Sequence, residues 1–335
     1  MRDATRWCAV EAESRHAGRD LAVVVVTYNS ADVIGACLAS LRRWLPAAEV
    51  IVVDNESTDA TRAVVGDRSR LCAGHGNVGF GAGVNLGVAH TARRWVLVLN
   101  PDATIVGVAG LQRLLARAPF GLAGCAVERR GRFASLVHEQ RGWRLDLFRW
   151  LVIWFLVPAE VPADRRIRPG ARRPWVSGAA MLVARDEFLR IGGFDEDFFL
   201  YGEDLDLSRR YRRAGLPVTG TDAVRVVHRG QGSLSAPAPA ISWGLLGLLE
   251  TVGKWHGERE ALRAARLALG FVGAVRRVGG VRGIGGVPGL GSRARKKAAT
   301  AAEVLALLTD GREGHYRHAE RALDRARGHP KSPHR

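Results

Sequence analysis

Between Asp195 and Asp206 the chain crowds six acids (Asp195, Glu196, Asp197, Glu203, Asp204 and Asp206) among Phe194, Phe198, Phe199, Leu200 and Tyr201. Carboxylates set among aromatic side chains do not make a solvated face, since side chains of that size belong to a core or a pocket wall. Glu203 and Asp204 open a predicted helix that continues through Leu207 and Tyr211 to Gly215. N–H groups at a helix start favour the ionised carboxylate, and such a carboxylate over a pocket can take a proton from a hydroxyl. The plainer alternative is that Glu203, Asp204 and Asp206 complement the helix dipole and pair with Arg209, Arg210 and Arg212. A second chemical candidate is His228, which closes the apolar run Val224 to Val227 and precedes Gly230, Gln231, Gly232 and Ser233. A lone His is more often structural than a ligand. With Asp102 as a second hard donor, it would share a divalent cation held mainly by a diphosphate, the usual arrangement for Mg²⁺ or Mn²⁺.

Such groups need a scaffold, and the first two hundred residues alternate strand and helix. LAVVVV (Leu21 to Val26) is a continuous β-branched run of the kind buried on both faces of a parallel sheet. After Thr27-Tyr28-Asn29-Ser30, Val33, Ile34, Cys37, Leu38, Leu41 and Leu45 fall at helical spacing behind a Ser30 or Asn29 cap, and Pro46 ends the run. The unit recurs as Val50 to Val53, the polar stretch Asp54 to Asp59 and a helix through Val64 and Val65. A third strand, Trp95 to Leu99, exits into Asn100-Pro101-Asp102. The expected fold is α/β with a parallel sheet. Ligands of open α/β sheets bind beyond the carboxyl ends of the strands, and three such ends here are polar together. Each alone is also what a turn or a cap requires. The glycine-rich stretch Gly74 to Gly87 leads into a helix expected from about Ala82, and its glycines let a ligand approach the backbone. It follows the second strand and helix, so it is not a dinucleotide fingerprint, and no GxxxxGK[ST] phosphate loop is present.

The 335 residues carry a formal net charge of +17, and 46 of the 50 cations are Arg. Residues 251–335 hold 18 cations against 7 anions and residues 129–173 hold 11 against 4, so the rest of the chain is close to neutral. An anionic partner is expected. A nucleic-acid binder is the alternative that the charge alone suggests, but helix-turn-helix, RRM and zinc signatures are missing and the cations lie outside the motif-bearing body, so no nucleic-acid partner is expected. Cys8, Cys37, Cys72 and Cys125 form no CxxC pair, which excludes a zinc knuckle or a disulfide-dense scaffold and fits a reducing cytoplasm. The mixed-charge N-terminus lacks the apolar core of a signal peptide, so no export is expected. WLVIWFLV (Trp150 to Val157) is only eight residues, and Gly230 to Leu249 carries two prolines and three serines, so neither is expected to span a membrane. Residues 143–157 combine three Trp and two Phe with Arg144 and Arg149, which suits a lipid interface and equally a buried helix or subunit contact. Residues 262–283 and 292–308 are basic and partly amphipathic and would sit against anionic lipid.

Taken in order, VVVVTYNS, VVDNESTD, GNVGFGAGVNLG, LNPDA, VSGAAMLVAR, GGFDEDFFLYGEDLDL and VVHRGQGS resemble glycosyltransferase family 2, the inverting GT-A enzymes, and within it the bacterial rhamnosyltransferase-like branch. The resemblance implies a GT-A fold with a mostly parallel central sheet. Residues 1–20 would be a polar tail and 21–235 the catalytic domain, with a nucleotide-sugar half at 21–128, a basic and aromatic insertion at 129–175 and an acceptor half at 176–235. A basic, mainly helical region would occupy 236–335. It implies transfer of a sugar from a nucleotide diphosphate to an acceptor hydroxyl, with dTDP-L-rhamnose favoured and UDP-galactofuranose or another UDP-sugar behind it. Thr27, Tyr28, Asn29, Asp54 and Asn55 would line the base and ribose pocket, and Asn77, Gly79, Phe80, Gly81 and Asn85 would wall the donor site. Asp102 would be the last acid of the metal-binding DxD element, with His228 as the other ligand for Mg²⁺ or Mn²⁺. Asn100 stands at the first position of that element, which removes one anionic ligand. Asp204, beside Glu203, would be the catalytic base. The implied partners are a nucleotide-sugar donor, a glycan or polyprenyl-diphosphate-linked acceptor and the anionic inner face of the cytoplasmic membrane, with self-association left open. A catalytically silent member acting as an assembly partner is the reading from another class.

Overall fold

The computed structural model describes residues 18–67, 69–116, 121–129, 132–135, 137–156, 173–229 and 237–280. In chain order the elements begin β1 (Leu21–Thr27), α1 (Ala31–Trp44), β2 (Glu49–Asp54), α2 (Thr61–Val65), β3 (Arg70–Cys72), α3 (Phe80–Ala89) and β4 (Trp95–Leu99). They continue with β5 (Ala103–Gly107), α4 (Leu111–Leu115), β6 (Leu122–Arg129), β7 (Arg132–Ser135), β8 (Val137–Glu139) and α5 (Trp143–Leu156). The last are β9 (Pro174–Val176), β10 (Ala180–Ala184), α6 (Arg185–Arg190), α7 (Glu203–Arg213), β11 (Val218–His228), α8 (Pro237–His256) and α9 (Glu258–Gly280).

The chain packs as two units, one of Met1–Glu139, Arg166–Asp195 and Asp204–Ser235, the other of Gln140–Arg165, Glu196–Glu203 and Ala236–Arg335. The first unit holds a nine-stranded sheet ordered β3-β2-β1-β4-β10-β6-β11-β5, with β7 on β6. It is parallel across β3, β2, β1 and β4, while β10 runs antiparallel to both β4 and β6. Every residue of β1 is buried, as a strand covered on both faces requires. Its side chains alternate between two cores. Leu21, Val23 and Val25 meet Ile34, Cys37, Leu38 and Leu41 of α1, whereas Val24 and Val26 meet Val84 and Val88 of α3.

Two local expectations change. No side chain of Ser30 or Asn29 caps α1; Asp59 Oδ2, from the β2 exit, accepts the Ala31 N–H at 3.1 Å instead. Helix α3 starts at Phe80 rather than near Ala82, behind Gly79 at φ 87°. Part of its glycine content serves packing: a Cβ on Gly87 would lie 2.4 Å from Val24 Cγ1, and one on Gly83 2.9 Å from Val26 Cγ1.

In the second unit, Trp143, Leu147 and Leu151 of α5 pack with Leu245, Leu246 and Leu249 of α8 and Ala261, Ala264, Ala265 and Ala268 of α9. The three- and four-residue spacing along α5 and α9 is the inward stripe of an amphipathic helix. Arg144 Nη2 reaches Glu260 Oε2 at 3.5 Å across the α5–α9 seam. Cys8, the stretch 230–235, the insertion residues 157–172 and the basic segment 292–308 lie outside the described residues.

Candidate active site

The strand order places a topological switch between β1 and β4, because the connection from β1 runs outward through α1 to β2 while β4 is added on its other side. The crevice beyond the carboxyl ends of these strands is where such sheets bind ligands. Parallel register sets Thr27 opposite Asp54. Thr27 Oγ1 donates to Asp54 Oδ1 at 3.1 Å, while Asp54 Oδ2 accepts from Arg62 Nε at 2.6 Å and from the Ser57 N–H at 3.1 Å. Burial pushes the Asp54 carboxyl upward, but the Ser57 and Arg62 hydrogen bonds, with that of Thr27, outweigh it and hold the group below the usual carboxylate range. Asp54 is thus a fully buried anchor whose oxygens already have partners in the strand-end network.

Around it, Asn29 Oδ1 accepts from the Thr58 N–H at 2.8 Å, and the Asn29 N–H donates to Ser57 Oγ at 2.9 Å. Asn29 at φ 48° and Glu56 at φ 64° are two of three described non-glycine residues with positive φ, a strain that gathers at functional sites. Tyr28, next to Asn29, is exposed. Asn55 Nδ2 donates to the Gly79 carbonyl at 2.8 Å, Asn77 Oδ1 accepts the Gly79 N–H at 3.2 Å, and the buried Asn55 Oδ1 has no partner. Gly81 is buried in the first turn of α3. Asn85 grips the backbone of Phe194 from both sides, accepting its N–H and donating to its carbonyl at 2.9 Å each. Phe80 meets the Phe194 ring edge-on at 5.9 Å. Asn85 and Phe80 therefore hold the start of the acidic stretch against α3.

On the other side of β4, the antiparallel register of β11 with β5 sets His228 opposite Ala103. His228 Nε2 comes within 3.0 Å of Asp102 Oδ1, and Asn100 Nδ2 within 3.3 Å of the same nitrogen. Asp102 is 4% exposed at its side chain and His228 22%. Among the described residues no three of His, Cys, Asp and Glu gather to hold a metal ion. One carboxylate and one imidazole, with an amide beside them, fit the protein's share of a Mg²⁺ or Mn²⁺ site whose other ligands are phosphate and water.

Asp204 stands at the second position of α7. Its Oδ2 accepts the Gly178 N–H at 3.1 Å and its Oδ1 the Leu205 N–H at 2.8 Å. Burial lifts its carboxyl to about 6, against the downward pull of the Gly178 and Leu205 N–H groups. The next residue, Ala179, accepts the Asn100 N–H on its carbonyl at 2.9 Å. Two consecutive residues of the Ser177–Ala179 turn therefore tie Asp204 to the Asn100–Asp102–His228 group. Gly178 has no room for a Cβ, which would lie 2.8 Å from the Phe80 ring. Glu203 is buried and groups with the second unit. Asp206, the third acid of α7, is fully buried and pairs with Arg210 at 2.7 Å, as the plainer reading of the cluster had it for that residue. The sequence reading passed over Ser57, Arg62, Gly178 and Ser208; only contact across the fold reveals them.

Residues 22–178 match the sequence model described as "Glycosyl transferase family 2". Residues 22–178 form a family 2 glycosyltransferase domain, and the chain is a glycosyltransferase. The N-acetylglucosaminyl-diphospho-decaprenol L-rhamnosyltransferase of Mycobacterium tuberculosis is 29% identical over 238 residues, covering 62% of this chain and 75% of the relative. Rhamnosyltransferase WbbL of Escherichia coli K12 is 24% identical over 219 residues, covering 62% and 82%. A solved structure of GalNAc-T7 with UDP, GalNAc and Mn²⁺ superposes with a TM-score of 0.50 at 14% identity, over 88% of this chain and 58% of that one. The fold of the glycosyltransferase is of the GT-A type.

Proposed function

We propose that this glycosyltransferase inverts the configuration of a hexose, L-rhamnose from dTDP-rhamnose first, as it moves it to a glycan or polyprenyl-diphosphate-linked acceptor in cell-envelope polysaccharide synthesis. The observation that carries the reading is the pairing of Asp204, poised near 6 on the Gly178 N–H, with the Asp102–His228 pair tied to the adjoining residue. The acceptor hydroxyl gives its proton to the Asp204 carboxylate as its oxygen forms the new bond to the anomeric carbon. The bond from that carbon to the diphosphate breaks with its electron pair on the leaving oxygen, so one displacement inverts the centre. Asp102 and His228 would hold Mg²⁺ or Mn²⁺, which when bound offsets charge on the departing diphosphate. Thr27, Tyr28, Asn29 and Asn55 line the strand ends where the base and ribose would lie, and Asp54 fixes that edge. The rhamnosyl names of two relatives support the sugar.

The site of action would be the inner face of the cytoplasmic membrane, held from the surface, since no helix among the described residues is long and apolar enough to cross. In the second unit Leu145 and Phe148 of α5 are 44% and 59% exposed beside Arg144, and Leu267 of α9 is 57% exposed beside Arg263 and Arg266. Apolar tips ringed by Arg suit an anionic interface. A panel of nucleotide sugars assayed for acceptor-dependent release of nucleoside diphosphate, with Mg²⁺, Mn²⁺ or EDTA, tests the proposal. Turnover with dTDP-rhamnose is expected. Turnover with a UDP-sugar alone would replace the donor, and no turnover with any donor would leave the silent assembly partner.

A further inference from the structure

In the run Phe198-Phe199-Leu200-Tyr201 the first three side chains join the protein interior and the fourth does not. Phe198 is fully buried, with Lys254 Nζ 5.5 Å from its ring centre, and Phe199 packs on Trp243 at 5.0 Å. Leu200 packs against the same core of the second unit. Tyr201 is 39% exposed. Its backbone is turned as well: Tyr201 stands at φ 69° and Gly202 at φ 95°, and α7 begins at the next residue. Tyr201 is the third of the described non-glycine residues at positive φ. Unlike Asn29, it has a bulky side chain and no short polar group to offset the cost of the left-handed region.

Backbone contact with α8 holds this elbow. A Cβ on Gly247 would lie 1.9 Å from the Tyr201 carbonyl oxygen, and one on Gly202 2.6 Å from the Gly247 carbonyl oxygen. That Gly247 oxygen also accepts from Thr251 Oγ1 at 2.8 Å, within α8. Both glycines are therefore needed for the two backbones to approach. The dihedrals favour glycine at 201 too, yet the chain has an aromatic ring there, turned further out than its neighbours. Strain of this kind, held in place by the surrounding structure, gathers where a residue makes a contact outside its own fold. The chain bounds where that contact lies. Asp204 is three positions further on, so the two Cα atoms are no more than about 11 Å apart. A pyranose with one hydroxyl at the Asp204 carboxylate falls within reach of the Tyr201 side chain.

Resting on the transferase reading above, we infer that Tyr201 is a stacking platform for the acceptor sugar, its ring covering the C–H face of the pyranose whose hydroxyl gives its proton to Asp204. Tyrosine suits this role, because it offers a broad, rigid apolar face at a small loss of conformational freedom. It touches the acceptor and not the donor, which belongs with the strand ends and the Asp102–His228 pair. The probe is farnesyl diphosphate carrying one N-acetylglucosamine, titrated calorimetrically into the full chain without donor. The wild type and Tyr201→Phe should bind it alike and Tyr201→Gly at least tenfold more weakly, while plain farnesyl diphosphate binds all three equally. The thermal shift given by dTDP-rhamnose should be the same in all three. Because glycine accepts φ 69°, Tyr201→Gly should melt above Tyr201→Ala. If Tyr201→Gly melts too early to titrate, Tyr201→Asn, which also tolerates positive φ, gives the same comparison. Equal binding of the sugar-bearing probe by Tyr201→Gly and the wild type, or no binding by the wild type, overturns the platform. So does a parallel loss for plain farnesyl diphosphate, which puts the ring against the isoprenoid or the phosphates, and so does a lost dTDP-rhamnose shift, which puts it in the donor site. Tyr201→Gly melting below Tyr201→Ala removes the strain on which the inference stands. A wild type that turns over no donor defeats the transferase reading but leaves these binding comparisons readable.

Discussion

A carboxylate that must take a proton works only while ionised, so the lift of Asp204 to about 6 sets the acid limb of the reaction. We expect kcat/KM to rise about tenfold per pH unit below 6 and to level above it, as a single-base profile requires. The stability sign runs the other way. Because the folded-state value lies above the unfolded one, the native protein holds the proton more tightly, and this stabilisation is lost as pH rises through about 6. Asp204 therefore costs stability in the range where it is active. Asp204→Asn should lower transfer by about 10²–10⁴-fold while a nucleotide sugar still raises the melting temperature; wild-type turnover would remove Asp204 from the mechanism. Cys37 and Cys125, pushed up to about 12 by burial, are not nucleophiles, in agreement with a single displacement. At this scale the sequence exposed the reactive types. It did not show that Asp54 and Asn85 spend their polar atoms on Arg62, Thr27 and the Phe194 backbone, because those partners come from other elements.

Helix α7 is fastened to the segment Pro174–Gly178 at three points four residues apart. Asp204 accepts from Gly178 N–H, Ser208 Oγ accepts from Val176 N–H at 3.0 Å, and Arg212 donates to the Pro174 carbonyl. Four helical residues advance about 6 Å and two extended residues about 6.6 Å, so each rung meets alternate residues of the partner. Ser208, fully buried, is the middle rung. Ser208→Ala would leave the Val176 N–H unpaired and should cost about 1–3 kcal/mol in chemical denaturation. It should also move the acid limb near 6, because the Gly178 N–H would no longer be held square to Asp204; an unmoved limb would confine Ser208 to stability. In the same core, Gly87→Ala should cost about 1–3 kcal/mol by crowding α3 against Val24. The sequence predicted these strands and helices well because hydrophobic period is local. Its cap for α1 and start for α3 differ from the structure because Asp59 and Gly79 act through contacts and dihedrals that period does not encode.

For the whole molecule, the net charge of +17 and the exposed Phe148 argue together for an anionic surface. Phe148→Asp should weaken co-sedimentation with phosphatidylglycerol vesicles severalfold at an unchanged melting temperature, since Phe148 is 59% exposed and supports little packing. Binding should also fall with added salt. Equal sedimentation of the variant and the wild type would leave α5 out of the contact. In sequence the aromatic run 143–157 read equally as interface or core, and the structure divides it, with Trp143, Leu147 and Leu151 inside and Leu145 and Phe148 outside. The amino-acid order by itself determined the α/β alternation, the polar strand ends and the family, because these depend on near neighbours and on short motifs. Only the tertiary structure decided that His228 faces Asp102 across more than a hundred residues, that one turn at Gly178 and Ala179 ties them to Asp204, and that Arg212 of α7 fastens to the Pro174 carbonyl. Those juxtapositions come from strand register and helix docking, which long-range pairing sets and no local pattern carries.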